Sequence, residues 1–114
     1  MMICWDVHFP EVARNLHAGG AEIIALPIMG GNPALASARA IENQIYLLTS
    51  TTTNITRPNW MRSGVFGLDG RMLVQAKQWG DVVVTEVDLN RPTHWDGLGH
   101  FRERILHERP SNVR

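Results

Sequence analysis

Cys4, the only cysteine of the chain, is the residue best suited to nucleophilic chemistry. It closes a short apolar run, Met1–Cys4, and the next signal is Phe9-Pro10-Glu11, which favours a helix start because proline has no N–H group to leave unpaired. The sequence therefore predicts Cys4 at a strand-to-helix junction, where reactive groups gather in open α/β sheets. A helix amino end nearby would favour the thiolate. Because a cysteine can also serve as a small buried apolar residue, position alone leaves both interpretations open.

The other reactive side chains give weaker patterns. The five histidines have no His-x-x-x-His spacing and no second cysteine accompanies Cys4, so we expect no metal site. The segment Gly30-Gly31-Asn32-Pro33 follows an apolar run but lacks the spacing of a phosphate-binding loop, and a plain turn is the better interpretation. We therefore expect no cofactor. Four tryptophans lie near arginines, yet no basic cluster accompanies them, which argues against a nucleic-acid partner.

Length and composition indicate one domain with its own core. The chain has 114 residues, with 11 basic and 11 acidic side chains, so its net charge favours neither nucleic acid nor a membrane surface as partner. The longest apolar stretch, Ala21–Met29, contains Glu22 and Pro27 and is far too short to span a membrane. A single cysteine is compatible with a reducing compartment. We expect a soluble, cytoplasmic protein.

The order of apolar runs and turn signals predicts an α/β fold with a mixed sheet. Strand, helix and strand within the first 26 residues form a βαβ unit, whose strands should be parallel. Asp69-Gly70 between apolar runs predicts an antiparallel hairpin. The predicted strands are Met1–Cys4, Ala21–Leu26, Ile45–Thr52 and Val82–Leu89, of which the first three should be neighbours, and the predicted helices are Phe9–His17, Ala34–Gln44 and a short one within Gly99–His107.

Several ordered motifs then resemble the nitrilase superfamily, the carbon–nitrogen hydrolases. The segment from Cys4 to Glu11 (Cys-Trp-Asp-Val-His-Phe-Pro-Glu) is similar to the motif that carries the family's nucleophile. The segments Gly20–Ile24, Ala38–Tyr46, Leu68–Gly70 and Val87–Leu89 resemble later motifs of the family in the same order. Ordered matches over nearly the whole chain are much more specific than any one of them.

The resemblance implies a fold, an activity and a set of site residues. The family fold is an αββα sandwich, and its members hydrolyse non-peptide amides, carbamoyl groups or nitriles with a cysteine, a glutamate and a lysine, through a thioester. Carried over, Cys4 is the nucleophile and the backbone N–H of Trp5 is an oxyanion donor. Val7, His8, Ile28 and Met29 fall where family members place substrate-binding residues, and the implied substrate is a small amide-type molecule.

The glutamate and lysine of the family mechanism have no match here. In the family both precede the cysteine, whereas only three residues precede Cys4 and the sole lysine, Lys77, lies far downstream. The resemblance thus implies the carboxyl-terminal portion of a nitrilase-like domain, with the amino-terminal part missing, and an isolated chain that is inactive. The alternative is a non-catalytic structural or interaction remnant of the fold. The alanine-rich helix around Ala38 would permit close approach of a second copy, so a homo-oligomer is compatible with the sequence.

Overall fold

The computed structural model describes residues 1–54, 56–91, 93 and 95–110, and these residues form one four-stranded mixed sheet with helices on one face. The sheet has the order β1-β2-β3-β4. Its strands are β1 (Ile23–Pro27), β2 (Tyr46–Ser50), β3 (Gly64–Phe66) and β4 (Met72–Gln75), and the α-helices are α1 (Pro10–Ala18), α2 (Pro33–Asn43) and α3 (Phe101–Glu108).

The first half of the fold contains a βαβ unit, but it is β1-α2-β2 and not the unit predicted within the first 26 residues. The second and third predicted strands are neighbours, as expected. Strands β1 and β2 pair in parallel, with Ile24 opposite Leu47. These two side chains are buried in one apolar cluster with Ala36 and Ala40 of α2. Because alanine side chains are short, α2 packs closely against this face of the sheet. Asn32 caps that helix, since its side-chain oxygen accepts a hydrogen bond from the N–H of Ala34 at 2.9 Å.

The hairpin prediction is also confirmed. Strands β3 and β4 are antiparallel, and the turn between them places Gly70 at φ +77°, a conformation that glycine adopts without strain. The carboxylate of Asp69 accepts a hydrogen bond from the N–H of Arg71 at 3.0 Å. Ser37 of α2 donates to the carbonyl oxygen of Gly70 at 2.7 Å, so the turn is also fastened to the helical layer.

Helix α3 reaches back to the first half of the chain through one arginine. The Nε and Nη2 atoms of Arg102 donate to the carbonyl oxygen of Gln44 at 3.0 and 2.9 Å, and Nη1 pairs with Glu22 at 2.9 Å. The sequence predicts this helix within the segment Gly99–His107, and the helix begins two residues after the start of that segment and ends one residue after its end.

Two predicted strands are wrong. The first three residues approach β1 through one backbone hydrogen bond, from Met2 N to Ala25 O at 3.0 Å, and Cys4 already begins a 3₁₀ turn. Residues 82–88 have alternating burial but join no ladder among the described residues, and Val82 and Val84 are 89% and 86% exposed. Alternating burial along a segment indicates an extended backbone with two different faces. A β-strand also needs a neighbouring strand edge to pair with.

The sheet face opposite α2 carries exposed apolar side chains. Ile23 of β1 and Leu48 of β2 point to this face and both remain exposed. A surface of this kind is typical of a layer that another layer covers. Among the described helices, none is both long enough and apolar enough to cross a membrane.

Candidate active site

Cys4 lies at the first position of a 3₁₀ turn, Cys4–His8, which we call the Cys4 turn. The thiol is exposed. The backbone φ of Cys4 is +47°, in the left-handed region. This conformation costs a residue with a Cβ of order 1–3 kcal/mol and persists only where the surrounding structure imposes it. Such outliers concentrate at functional sites, so the conformation marks this exposed cysteine as a candidate reactive group.

Backbone and carboxylate hydrogen bonds hold the Cys4 turn at both ends. The Oδ2 atom of Asp6 accepts from the N–H of Ile3 at 2.9 Å, and the N–H of Asp6 donates to the carbonyl oxygen of Ile3 at 3.0 Å. The N–H of Phe9 then donates to the carbonyl oxygen of Asp6 at 3.0 Å. Asp6 therefore braces the turn.

Arg39 of α2 fastens the turn to the helical layer. Its Nε donates to the carbonyl oxygen of Val7 at 3.0 Å, and its Nη1 pairs with Glu42 at 2.9 Å. The Arg39 side chain is buried, and Asn43 in turn donates to the carbonyl oxygen of Arg39 at 2.9 Å. In the sequence, Arg39 stands only as one residue of the motif Ala38–Tyr46 and has no predicted role of its own. An arginine among the alanines of a core-facing helix is the signal that could have identified it.

Loss of this arginine should destabilise the fold. We expect Arg39→Met to lower the free energy of unfolding by about 2–3 kcal/mol, because it removes a charge-assisted hydrogen bond and leaves the Val7 carbonyl buried without its donor. Arg39→Lys should recover only part of this, since an ammonium group cannot donate in two directions from a rigid plane. Urea unfolding followed by circular dichroism measures the difference. Arg71→Met is the matched control, because Arg71 is 86% exposed and its contact with Asp69 is long, at 3.7 Å. Equal losses in both variants would contradict the role of Arg39.

The predicted site residues divide between surface and core. Trp5 is 66% exposed and its ring stacks on His8, with centroids 4.2 Å apart. The Nδ1 atom of His8 lies 3.2 Å from the carbonyl oxygen of Trp5, which assigns the proton to this nitrogen because a carbonyl only accepts. Val7 and Ile28 are both buried in the apolar core, whereas Met29 is 77% exposed. Contact of these side chains with a substrate stays a prediction.

The loop that carries Met29 is held by close packing. Gly30 has φ +73°, and a Cβ at this position would lie 2.2 Å from the ring of Trp60. Its N–H donates to the hydroxyl of Thr51 at 3.0 Å, and the indole N–H of Trp60 donates to the carbonyl oxygen of Thr52 at 3.3 Å. Glycine is required here by close approach and backbone conformation together. The fixed loop presents Met29 to solvent.

The described residues offer no group of three or more His, Cys, Asp or Glu side chains that could hold a metal ion. His94, one of the five histidines, lies outside the described residues.

Comparison with curated proteins relates this chain to nitrilase and amidase proteins. The nitrilase and fragile histidine triad fusion protein NitFhit of Caenorhabditis elegans is 30% identical over 119 residues, which cover 96% of this chain and 26% of that protein. The deaminated glutathione amidase of Mus musculus is 28% identical over 125 residues, covering 88% of this chain and 39% of the enzyme. The chain thus spans between about a quarter and two fifths of the length of these relatives.

Solved structures and a family model agree with the sequence relatives. The crystal structure of NitFhit superposes with a TM-score of 0.75 and 28% identity, over 96% of this chain and 28% of that one. An amidase from Nesterenkonia sp. AN1, in a form where acrylamide has added to the active-site cysteine, gives a TM-score of 0.57 and 30% identity, over 69% of this chain and 35% of that one. The model of the family described as Carbon-nitrogen hydrolase matches residues 1–96. The chain belongs to the carbon–nitrogen hydrolase family, the nitrilase superfamily, and forms a part of its fold.

Proposed function

We propose that residues 1–114 are the nucleophile-bearing portion of an amidase-type enzyme that cleaves a carbon–nitrogen bond of a small molecule through a thioester on Cys4. The observation that carries the proposal is the conformation of Cys4. Its thiol is exposed, and its backbone has φ +47° within a turn that hydrogen bonds hold in place. The adduct at the active-site cysteine of the Nesterenkonia amidase supports the same kind of residue as the reacting group.

Attack on the substrate would begin at the Sγ atom of Cys4. The thiolate adds to the acyl carbon, the carbonyl oxygen takes up the negative charge, and the carbon–nitrogen bond then breaks with the proton passing to the leaving nitrogen. A thioester remains on Cys4. Water adds to its acyl carbon, the thiolate leaves, and the products are a carboxylic acid and an amine or ammonia.

The backbone N–H of Trp5 is suited to stabilise the oxyanion of this reaction. The first backbone hydrogen bond of the Cys4 turn runs from the N–H of Asp6 to the carbonyl oxygen of Ile3. The N–H of Trp5 comes one residue earlier and therefore precedes the hydrogen-bonded part of the turn. An N–H fixed next to the attacked carbon stabilises developing charge without reorganisation at the moment of reaction. In this proposal Arg39 and Asp6 hold the donor in place.

Proton transfer and further oxyanion stabilisation require two side chains that have no counterpart among residues 1–114. In the family scheme these are a glutamate and a lysine, and the only lysine here is Lys77, beside the hairpin. We propose that an amino-terminal polypeptide segment carrying both groups covers the open sheet face that Ile23 and Leu48 line. The exposed apolar surface of that face supports this arrangement.

A small amide is the substrate class that the relatives favour. The mouse relative is a deaminated glutathione amidase, and a relative in Xenopus tropicalis is an omega-amidase. The residues proposed for the pocket include His8 and the apolar Ile28 and Met29 and contain no arginine to grip a carboxylate, which favours a neutral or modestly polar amide.

The test is ammonia release by a protein in which residues 1–114 are joined to an amino-terminal portion with the glutamate and the lysine. We expect turnover of at least one small primary amide from a panel that also contains nitriles and N-carbamoyl compounds. Turnover of nitriles alone would contradict the amidase type. A folded, joined protein that turns over no member of the panel would favour the non-catalytic remnant instead.

A further inference from the structure

The Cys4 turn shares part of the core with two loops. The first is the Met29 loop, residues 28–32, which follows β1, and the second is the Trp60 loop, residues 56–62, which lies between β2 and β3. All three segments are anchored in one buried apolar cluster, by the side chains of Val7, Ile28 and Met61. Because β1 and β2 are parallel, their carboxyl ends share one edge of the sheet, the edge where open α/β folds bind ligands. The two loops therefore border the region in which a substrate of Cys4 would sit.

Trp60 packs on the backbone of the Met29 loop. Its ring occupies the space that a side chain at Gly30 would need, since a Cβ there would lie 2.2, 2.3 and 2.5 Å from three atoms of the ring. The guanidinium group of Arg57 lies over the same ring, 4.8 Å from its centroid, and this cation–π contact stabilises the ring in its position. The indole N–H also donates to the carbonyl oxygen of Thr52 at 3.3 Å. These contacts fix the ring against Gly30.

The Met29 loop depends on contacts from outside for its conformation. Gly30 and Gly31 have φ +73° and +88°, and glycine loses more conformational freedom on folding than any other residue. The N–H of Gly30 donates to the Thr51 hydroxyl at 3.0 Å, and the carbonyl oxygen of Gly31 accepts a backbone hydrogen bond from the Trp60 loop at 2.9 Å. Met29 itself is 77% exposed, so its own side chain contributes little to holding the loop. The location of Met29 is therefore set by the groups that pack on Gly30, above all the ring of Trp60.

We propose that Trp60 is a positioning residue for the reaction at Cys4: its indole fixes the Met29 loop, and the fixed Met29 forms a preformed apolar wall for the substrate. This inference rests on the function proposed above and adds to it the residue that sets the position of the wall. Trp60 acts through Met29 and not on the reacting atoms. A wall that contacts substrate and transition state alike contributes uniform binding, so its loss should raise KM and leave kcat nearly unchanged.

Steady-state kinetics of the joined protein with a small primary amide measures this effect. We expect Trp60→Leu to raise KM at least about fivefold and to leave kcat within about twofold of its original value. Trp60→Phe keeps a ring over Gly30 and should recover most of the loss. Trp79→Leu is the matched control, because it removes a tryptophan that is 75% exposed in the turn after β4, and it should change neither constant.

A double-mutant cycle shows whether Trp60 acts through Met29. Met29→Ala removes the wall itself and should also raise KM. Adding Trp60→Leu to Met29→Ala should cost little more, because the effects of residues that act through one another are not additive. Additive effects of the two substitutions, or a Trp60→Leu variant that loses kcat with KM unchanged, would overturn the proposal.

Nuclear magnetic resonance of ¹⁵N-labelled residues 1–114 tests the positioning step without an assay of activity. The ring current of Trp60 should displace the amide and α-proton signals of Gly30 in the original chain. These signals should return toward ordinary values in a folded Trp60→Leu variant, and Trp60→Phe, with an intermediate displacement, serves if Trp60→Leu does not fold. Gly30 signals that are equal in the original chain and the folded variant would overturn the proposal. A joined protein that turns over no amide would contradict the proposed function, whereas the Gly30 signals would still decide whether Trp60 holds the loop.

Discussion

Cys4→Ser should lower kcat/KM for amide hydrolysis by at least about three orders of magnitude in a protein that supplies the glutamate and lysine, because a hydroxyl is a far poorer nucleophile than a thiolate at neutral pH. The substitution changes one atom of an exposed side chain, so the turn should keep its geometry. Steady-state assays of ammonia release measure the loss.

Cys4→Ala provides the control for residual attack by the serine hydroxyl, and should be at least as inactive as Cys4→Ser. Both variants should retain the thermal stability of the parent or exceed it slightly, since neither removes a buried contact. A catalytic loss accompanied by a large fall in stability would assign to Cys4 a structural role. Turnover that survives either substitution would contradict its role as nucleophile.

Residues 1–114 alone should show no appreciable amidase activity. The thiol needs a group to take its proton and the oxyanion needs more than one donor, and residues 1–114 match neither the glutamate nor the lysine of the family scheme. We expect ammonia release from the isolated chain at the rate of the Cys4→Ala variant, within error. The joined protein, assayed at the same concentration, is the positive control. Turnover by the isolated chain that Cys4→Ala abolishes would show that residues 1–114 contain a complete catalytic site.

The elements that the sequence predicts correctly are those with local causes. Helix α1 begins at Pro10, helix α2 begins after the Asn32 cap, and the hairpin turns at Asp69-Gly70, and in each case the signal lies within a few residues. The two wrong strands, Met1–Cys4 and Val82–Leu89, depend on a partner edge that is distant in sequence. Pairing is a non-local property, and alternation of apolar residues alone does not supply it.

In the candidate site, too, features with a local sequence signal are predictable and features that depend on the rest of the fold are not. Cys4 is recognisable from its motif, but its left-handed backbone has no signal in the sequence, and the hydrogen bond from Arg39 to the Val7 carbonyl joins segments more than 30 residues apart. The 3₁₀ turn places Val7 in the core and His8 at the surface. Adjacent positions of a motif that were both expected to contact substrate therefore have different surroundings.

Intact-mass analysis of the joined protein, quenched during turnover of a slow amide and followed by peptide mapping, tests the central claim most directly. The account predicts one acyl adduct, equal in mass to the acyl part of the substrate, on the peptide that contains Cys4. Hydroxylamine should remove the adduct, because thioesters react readily with this nucleophile, and Cys4→Ala should prevent its formation. An acyl group found on any other residue, or normal turnover by the Cys4→Ala variant, would contradict the account.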